Sequence, residues 1–174
     1  MQPEREAEIS GALGKAFYDI KLYEKAESWY LRKDSIRPLT TELLYLGMAQ
    51  KFQKKFVEAD TTFGKLLVKS PGYEYGWLQR ADIQHKMDTT EPKSFSAKPF
   101  YDKFIELASA APSKNKTGLI EAYLFMVVYH AQTGSYDAAK SYCDMVLNID
   151  PEESRALEFS KILNGGTSTK PKNR

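Results

Sequence analysis

Apolar residues recur at three- and four-residue spacing through almost the whole chain, a helical period rather than the alternation of a strand. The pattern predicts helices near residues 4–19, 23–36, 41–53, 56–69, 73–87, 98–110, 115–133, 136–148 and 152–164. Four prolines, Pro38, Pro71, Pro112 and Pro151, punctuate these segments at gaps of 33, 41 and 39 residues, with a pair of amphipathic segments before each. A helix pair recurring at so regular a beat is the signature of a stacked helical repeat. One pair cannot bury its apolar face alone, so neighbours must stack. The product is a long surface for binding rather than a deep pocket for chemistry.

Three segments overlay in register: GALGKAFYDIKLYEKAESWYLRKDSIRP, LLYLGMAQKFQKKFVEADTTFGKLLVKSP and YLFMVVYHAQTGSYDAAKSYCDMVLNIDP. Leu13-Gly14, Phe17, Ala26 and Tyr30 of the first fall on Leu46-Gly47, Gln50, Ala59 and Phe63 of the second. In the last they fall on Met126-Val127, His130, Ala139 and Cys143, and the turns carry Tyr23, Phe56 and Tyr136. Gly14, Gly47, Ala26 and Ala59 let two helices approach, and the large apolar residues fill the space that remains. Gln50 stands where an aromatic is expected and Val127 where a small residue is, so looser packing is expected at both.

This pattern of small and large positions resembles the tetratricopeptide repeat, whose period is about 34 residues. The resemblance covers about residues 7–163. It implies an all-α, right-handed superhelix of about four helix pairs with a C-terminal capping helix. The repeats run about 7–39, 40–72, 74–113 and 120–153, the cap 152–164, and a disordered tail 165–174. The third repeat, with Trp77 and Ala81 in its first helix, exceeds the period by about seven residues. That excess is placed in a long turn, Asp88–Ser96, read as a surface insertion on which apolar Phe95 could reach a partner. Pro99 is tolerable in the first turn of the following helix. The string WLQRAD followed by KPFYDKFIELA also resembles tetratricopeptide proteins of Bacteroidetes-type bacterial envelopes. Asp150-Pro151-Glu152-Glu153 reads as a helix start with a capping aspartate and proline at the first helical position. Gly134 marks a tight turn, and Gly165-Gly166 ends the last helix. Leu157, Phe159, Ile162 and Leu163 are expected to form the seam of the closing helix.

In the family that the chain resembles, the first helix of each pair lines a concave groove. Carried over position by position, this implies inward-facing Lys15 and Tyr18, then Leu44, Tyr45 and Met48, then Tyr75, Leu78, Asp82 and His85. In the last pair Glu121, Leu124, Phe125 and Val128 follow. Such a strip of aromatic and aliphatic groups implies a non-catalytic scaffold or adaptor that holds a protein partner's peptide or helix. Gly11, Tyr45 and Gln79 stand where members with a carboxylate clamp need Lys, Asn and Arg, which disfavours that ligand class. The alternative is a self-assembly module that stacks through its N-terminal end on another copy or on upstream repeats.

Composition narrows the classes further. Hydrophobic residues at 42% and aromatics at 13% exclude a disordered chain. Twenty-five basic against 23 acidic residues give a net charge of +2, no electrostatic case for nucleic acid or membrane. The basic tail with Lys170, Lys172 and Arg174 reads as a solvated terminus. A single cysteine rules out an intrachain disulfide. Cys143 falls on a core position and reads as a buried structural thiol, His130 as a packing residue, and His85 as facing the groove. Two histidines 45 residues apart make a zinc site improbable, and neither a cofactor nor a catalytic set is expected. The charged start MQPEREAEIS begins almost directly in a repeat helix, as in a fragment of a longer protein; if that protein is exported, the periplasm or cell envelope is the expected compartment, and otherwise the cytoplasm.

Overall fold

The computed structural model describes residues 3–36 and 40–165, and every regular element within them is an α-helix. These are α1 (Pro3–Asp19), α2 (Tyr23–Ile36), α3 (Thr40–Phe52), α4 (Phe56–Lys69), α5 (Glu74–Met87), α6 (Lys98–Ala108), α7 (Lys116–Gln132), α8 (Tyr136–Ile149) and α9 (Ser154–Gly165). Each lies within two residues of the span its periodicity predicts. Pro38, Gly166 and the remainder of the tail lie outside the described residues. Among the described residues no helix is long and apolar enough to cross a membrane. The chain gathers into two compact units, residues 1–103 and 104–174, divided within α6.

In the first unit α1 packs on α2, α2 on α3, α3 on α4 and α4 on α5, and α1 also touches α3. The small residues set these approaches. A Cβ on Gly14 would stand 2.9 Å from the Tyr30 ring, and one on Gly47 would stand 2.9 Å from the Phe63 ring. Ala26, Ala59, Tyr30 and Phe63 are all buried. In the second unit the corresponding buried pair is Val127 and Cys143. A larger residue on one helix is matched there by a smaller one on the other, so Val127 does not loosen the packing.

The turns repeat as closely as the cores. α1 ends with the Leu22 N–H donating to the Phe17 carbonyl at 2.9 Å, α3 with Lys55 to Gln50 at 3.0 Å, and α7 with Ser135 to His130 at 2.8 Å. This six-to-one closure needs a left-handed residue just past the helix. Lys21 (φ 61°), Lys54 (φ 61°) and Gly134 (φ 78°) take that place. The accepting carbonyls belong to the three residues that the sequence overlay set in register.

Gln50 is not a packing defect. It is buried, its amide donates to Glu27 Oε1 at 3.2 Å, and its oxygen accepts from Thr62 Oγ1 at 2.7 Å. Gln53 Nε2 (2.8 Å) and Lys55 Nζ (2.7 Å) bond the other Glu27 oxygen. A carboxylate on α2 is thus clasped by groups from α3, from the turn after it and, through Gln50, from α4. Burial alone would raise the Glu27 carboxyl, but the Lys55, Gln53 and Gln50 donors outweigh it and hold it below its ordinary value. Ion pairs bridge other helices of the unit: Lys33 to Glu42 (2.9 Å) and a two-pronged Arg80 to Asp60 (2.8 and 2.9 Å). The Arg80 guanidinium also lies 4.5 Å from the centre of the Phe100 ring, at the start of α6.

The long turn after α5 is braced from within rather than being a loose insertion. Asp88 is buried and takes hydrogen bonds from the Thr90 hydroxyl (2.5 Å), the Thr90 amide (3.3 Å) and the Phe95 amide (2.8 Å). Its own carbonyl accepts from Lys93 Nζ at 2.8 Å. Phe95 is half-buried and sits at φ 55°, so it is part of the brace and not an extended arm. The Thr90 hydroxyl above all, followed by donors from Ser94 and the Thr90 amide, holds the Asp88 carboxyl far below the usual carboxylate range. A depressed value means the brace is intact at neutral pH and is lost only in strong acid, well under the ordinary 3.8. Asp88→Asn removes one charged acceptor, and the Thr90 and Phe95 amides are expected to exchange with deuterium several-fold faster. Unchanged exchange there would mean the turn is held by something else.

In the second unit α7 packs on α8, and α9 lies against both. An unbroken run from Leu119 to Val127, apart from half-buried Glu121, is buried on α7, as expected of a helix apolar all round. Cys143 Sγ donates to the Ala156 carbonyl at 3.0 Å and ties α8 to α9. Burial pushes its thiol up, which suits a structural role. His130 stacks on Tyr142 with centroids 5.4 Å apart. Two expectations are corrected here. α9 begins at Ser154, not at Pro151, because Asp150 closes α8 and its side chain takes the Glu152 amide (3.2 Å) in a turn. The α9 seam is Ala156 and Leu163, one heptad apart, while Leu157 and Ile162 are 40% and 61% exposed.

Candidate functional site

Helices α1, α3 and α5 are the first members of successive pairs, and each carries a tyrosine among the expected inward residues. Tyr18 meets Tyr45 edge to face at 5.2 Å, and Tyr45 stacks over buried Tyr30 at 6.0 Å. Tyr23, at the start of α2, lies 5.6 Å from Tyr18 and stacks on Phe52 at 4.6 Å. Burial first, then the neighbouring phenols of Tyr23, Tyr75 and Tyr45, push the Tyr18 hydroxyl up to about 12. Tyr75, at the start of α5, acts on that hydroxyl through space and packs edge to face on Tyr73 at 6.3 Å. Tyr75 is 37% exposed and Phe52 50%, so the strip has buried roots and open edges. Rings with a polar tip and an open edge are suited to gripping an apolar partner group.

A charged cluster joins α3 to α5. Lys51 and Lys86 both bond Asp82 Oδ2, at 2.5 and 2.6 Å, and Lys51 also donates to Gln79 Oε1 at 2.5 Å. Burial works to raise the Asp82 carboxyl, but the two lysines outweigh it and hold the carboxyl below its ordinary value. At the other end Lys15 is exposed and pairs with Asp19 at 2.6 Å within α1.

The expected groove residues therefore divide. Tyr18 and Tyr45 come together on the first unit, Asp82 joins α5 to Lys51 of α3, and Tyr75 and exposed His85 lie on α5 with Lys15 on α1. Leu44 and Met48 are half-buried and pack into the core around Phe63 and Ile83. Leu78 and Phe125 are corrected: each is only 8% exposed, so both are core groups rather than contact groups. Phe125 belongs to the second unit and is buried on α7, as is Leu124. Lys51, Gln79, Lys86 and Phe52 were not among the expected site residues. The inward spacing that gives Tyr45 and Met48 continues to Lys51, a signal the sequence did carry. Among the described residues no three His, Cys, Asp or Glu side chains are grouped to hold a metal ion.

No protein-family model matches the chain, and no curated protein does. Solved structures do. The C-terminal part of a TPR repeat-containing protein from Cytophaga hutchinsonii is 27% identical, with a TM-score of 0.79 over 90% of this chain and 60% of that one. The chain has the tetratricopeptide-repeat fold. A tetratricopeptide repeat protein from Parabacteroides merdae is similar in fold, 20% identical with a TM-score of 0.72, over 93% of this chain and 61% of that one. So is YrrB, named as a TPR protein with an unusual peptide-binding site, at 16% identity and a TM-score of 0.70, over 91% and 76%. This TPR chain thus spans about three fifths of the first two neighbours.

Proposed function

We propose that the chain is a non-catalytic protein–protein interaction scaffold, and that it holds a peptide or helix against the tyrosine strip of its first unit. The observation that carries this reading is the packing of Tyr18 on Tyr45 from two successive first helices, with Tyr75 of the third within electrostatic reach of Tyr18 and 37% exposed. Tyrosine is enriched among the residues that dominate binding energy at interfaces. The fold likeness to YrrB, itself named for a peptide-binding site, supports the class of ligand. The test is the affinity of a partner peptide for the parent, Tyr45→Ala and Tyr75→Ala, with melting curves to confirm the fold. Each substitution is expected to weaken binding about tenfold or more. Tyr75→Ala is the cleaner of the two, because Tyr45 also stacks on core Tyr30. Unchanged affinity in both folded variants removes the strip as the binding site.

A further inference from the structure

Two ammonium groups draw on one carboxylate oxygen where α3 meets α5. Lys51 and Lys86 both bond Asp82 Oδ2, and Lys51 is only 15% exposed. Gln79 adds a neutral acceptor to Lys51 and no second negative charge. A partly buried cation whose counter-ion is shared carries net positive charge into a region of reduced dielectric, where a further anion is favoured. Resting on the scaffold reading above, we propose that the partner segment is acidic: it seats a large apolar side chain against Tyr45 and places an Asp or Glu side chain between Lys51 and Lys86.

The spacing of the two anchors follows from α3. Tyr45 and Lys51 are six residues apart on that helix, about 9 Å along its axis and about 120° around it, so the anchors are about 11 Å or more apart. An extended peptide covers about 10 Å in three residues. The ligand pattern is therefore an apolar residue with an acidic residue three or four positions away. A helical ligand would instead separate the two by about seven positions. The recognised acid is a side chain within the segment, so a free C-terminus is not required.

The experiment selects binders from a displayed library of random short peptides and then measures amidated synthetic versions of the winners. The expected result is enrichment of an acidic residue three or four positions from an apolar one, binding that weakens with added salt, and about tenfold weaker binding when the acid is changed to its amide. Lys86→Gln, at a lysine 47% exposed, should produce a loss of the same order without unfolding, and Lys51→Gln should reproduce it if its melt is intact. Winners that depend on Tyr45 and Tyr75 yet carry no acid would overturn the acidic partner and leave the scaffold standing. Winners indifferent to both tyrosines, or no enrichment at all, would overturn the tyrosine strip itself and the acidic partner with it.

Discussion

Gly47→Ala is expected to destabilise the protein by about 1–3 kcal/mol, although alanine is the better helix former. On an open helix the same change would gain about 1 kcal/mol. At residue 47 the added Cβ would meet three ring carbons of Phe63 at 2.9, 3.0 and 3.1 Å. Phe63 is fully buried, so its ring cannot swing clear as a flexible chain end would. The steric cost wins, and Gly47→Leu should be worse still. Gly64 in α4 is the internal control, since a Cβ there finds only Arg80 atoms at 3.8 and 3.9 Å. Gly64→Ala should therefore stabilise by about 0.5–1 kcal/mol. Urea melts of the two variants must shift in opposite directions; a stabilised Gly47→Ala would mean that α3 and α4 do not pack as described.

Glu27→Ala is expected to cost about 3 kcal/mol, since it strands the buried Gln50 amide, takes the carboxylate partner from Lys55 and leaves Gln53 only its bond to the Ala49 carbonyl. The Glu27/Gln50 double-mutant cycle should show non-additivity of about 1 kcal/mol or more, the mark of two groups in one network. The pH dependence has a definite sign. The folded Glu27 carboxyl lies below its ordinary value of 4.5, so its contribution is complete above 4.5 and fades as pH falls through the lower, folded value. Glu27→Gln should flatten that acid limb of the stability curve. A variant that tracks the parent throughout would remove Glu27 from the account of what holds the first two hairpins together.

The elements were legible because each depends on local chemistry. Apolar period gave the helices, and Gly14, Gly47, Ala26 and Ala59 gave the register. The misreadings arose where tertiary partners decide. Gln50 breaks the apolar pattern, and nothing local reveals that Glu27, 23 residues earlier, and Thr62, twelve later, satisfy it. Asp150-Pro151 carries every local mark of a helix start, yet Asp150 serves the turn that ends α8. Leu78 and Phe125 sit at inward positions of the repeat, but inward toward a neighbouring helix is not the same as open to a partner. The tyrosines were visible as a list. The packing of Tyr18 on Tyr45 was not, because it depends on the stacking of separate helices.

The Asp88 brace also bears on where the chain can be handled. Its longest connection would be the natural choice for a grafted epitope or a protease site, yet cutting there would sever the bonds that fold Thr90 to Phe95 around one carboxylate. The corner at Gly72 is the safer place: it is exposed, and a side chain built there would touch nothing within 4 Å.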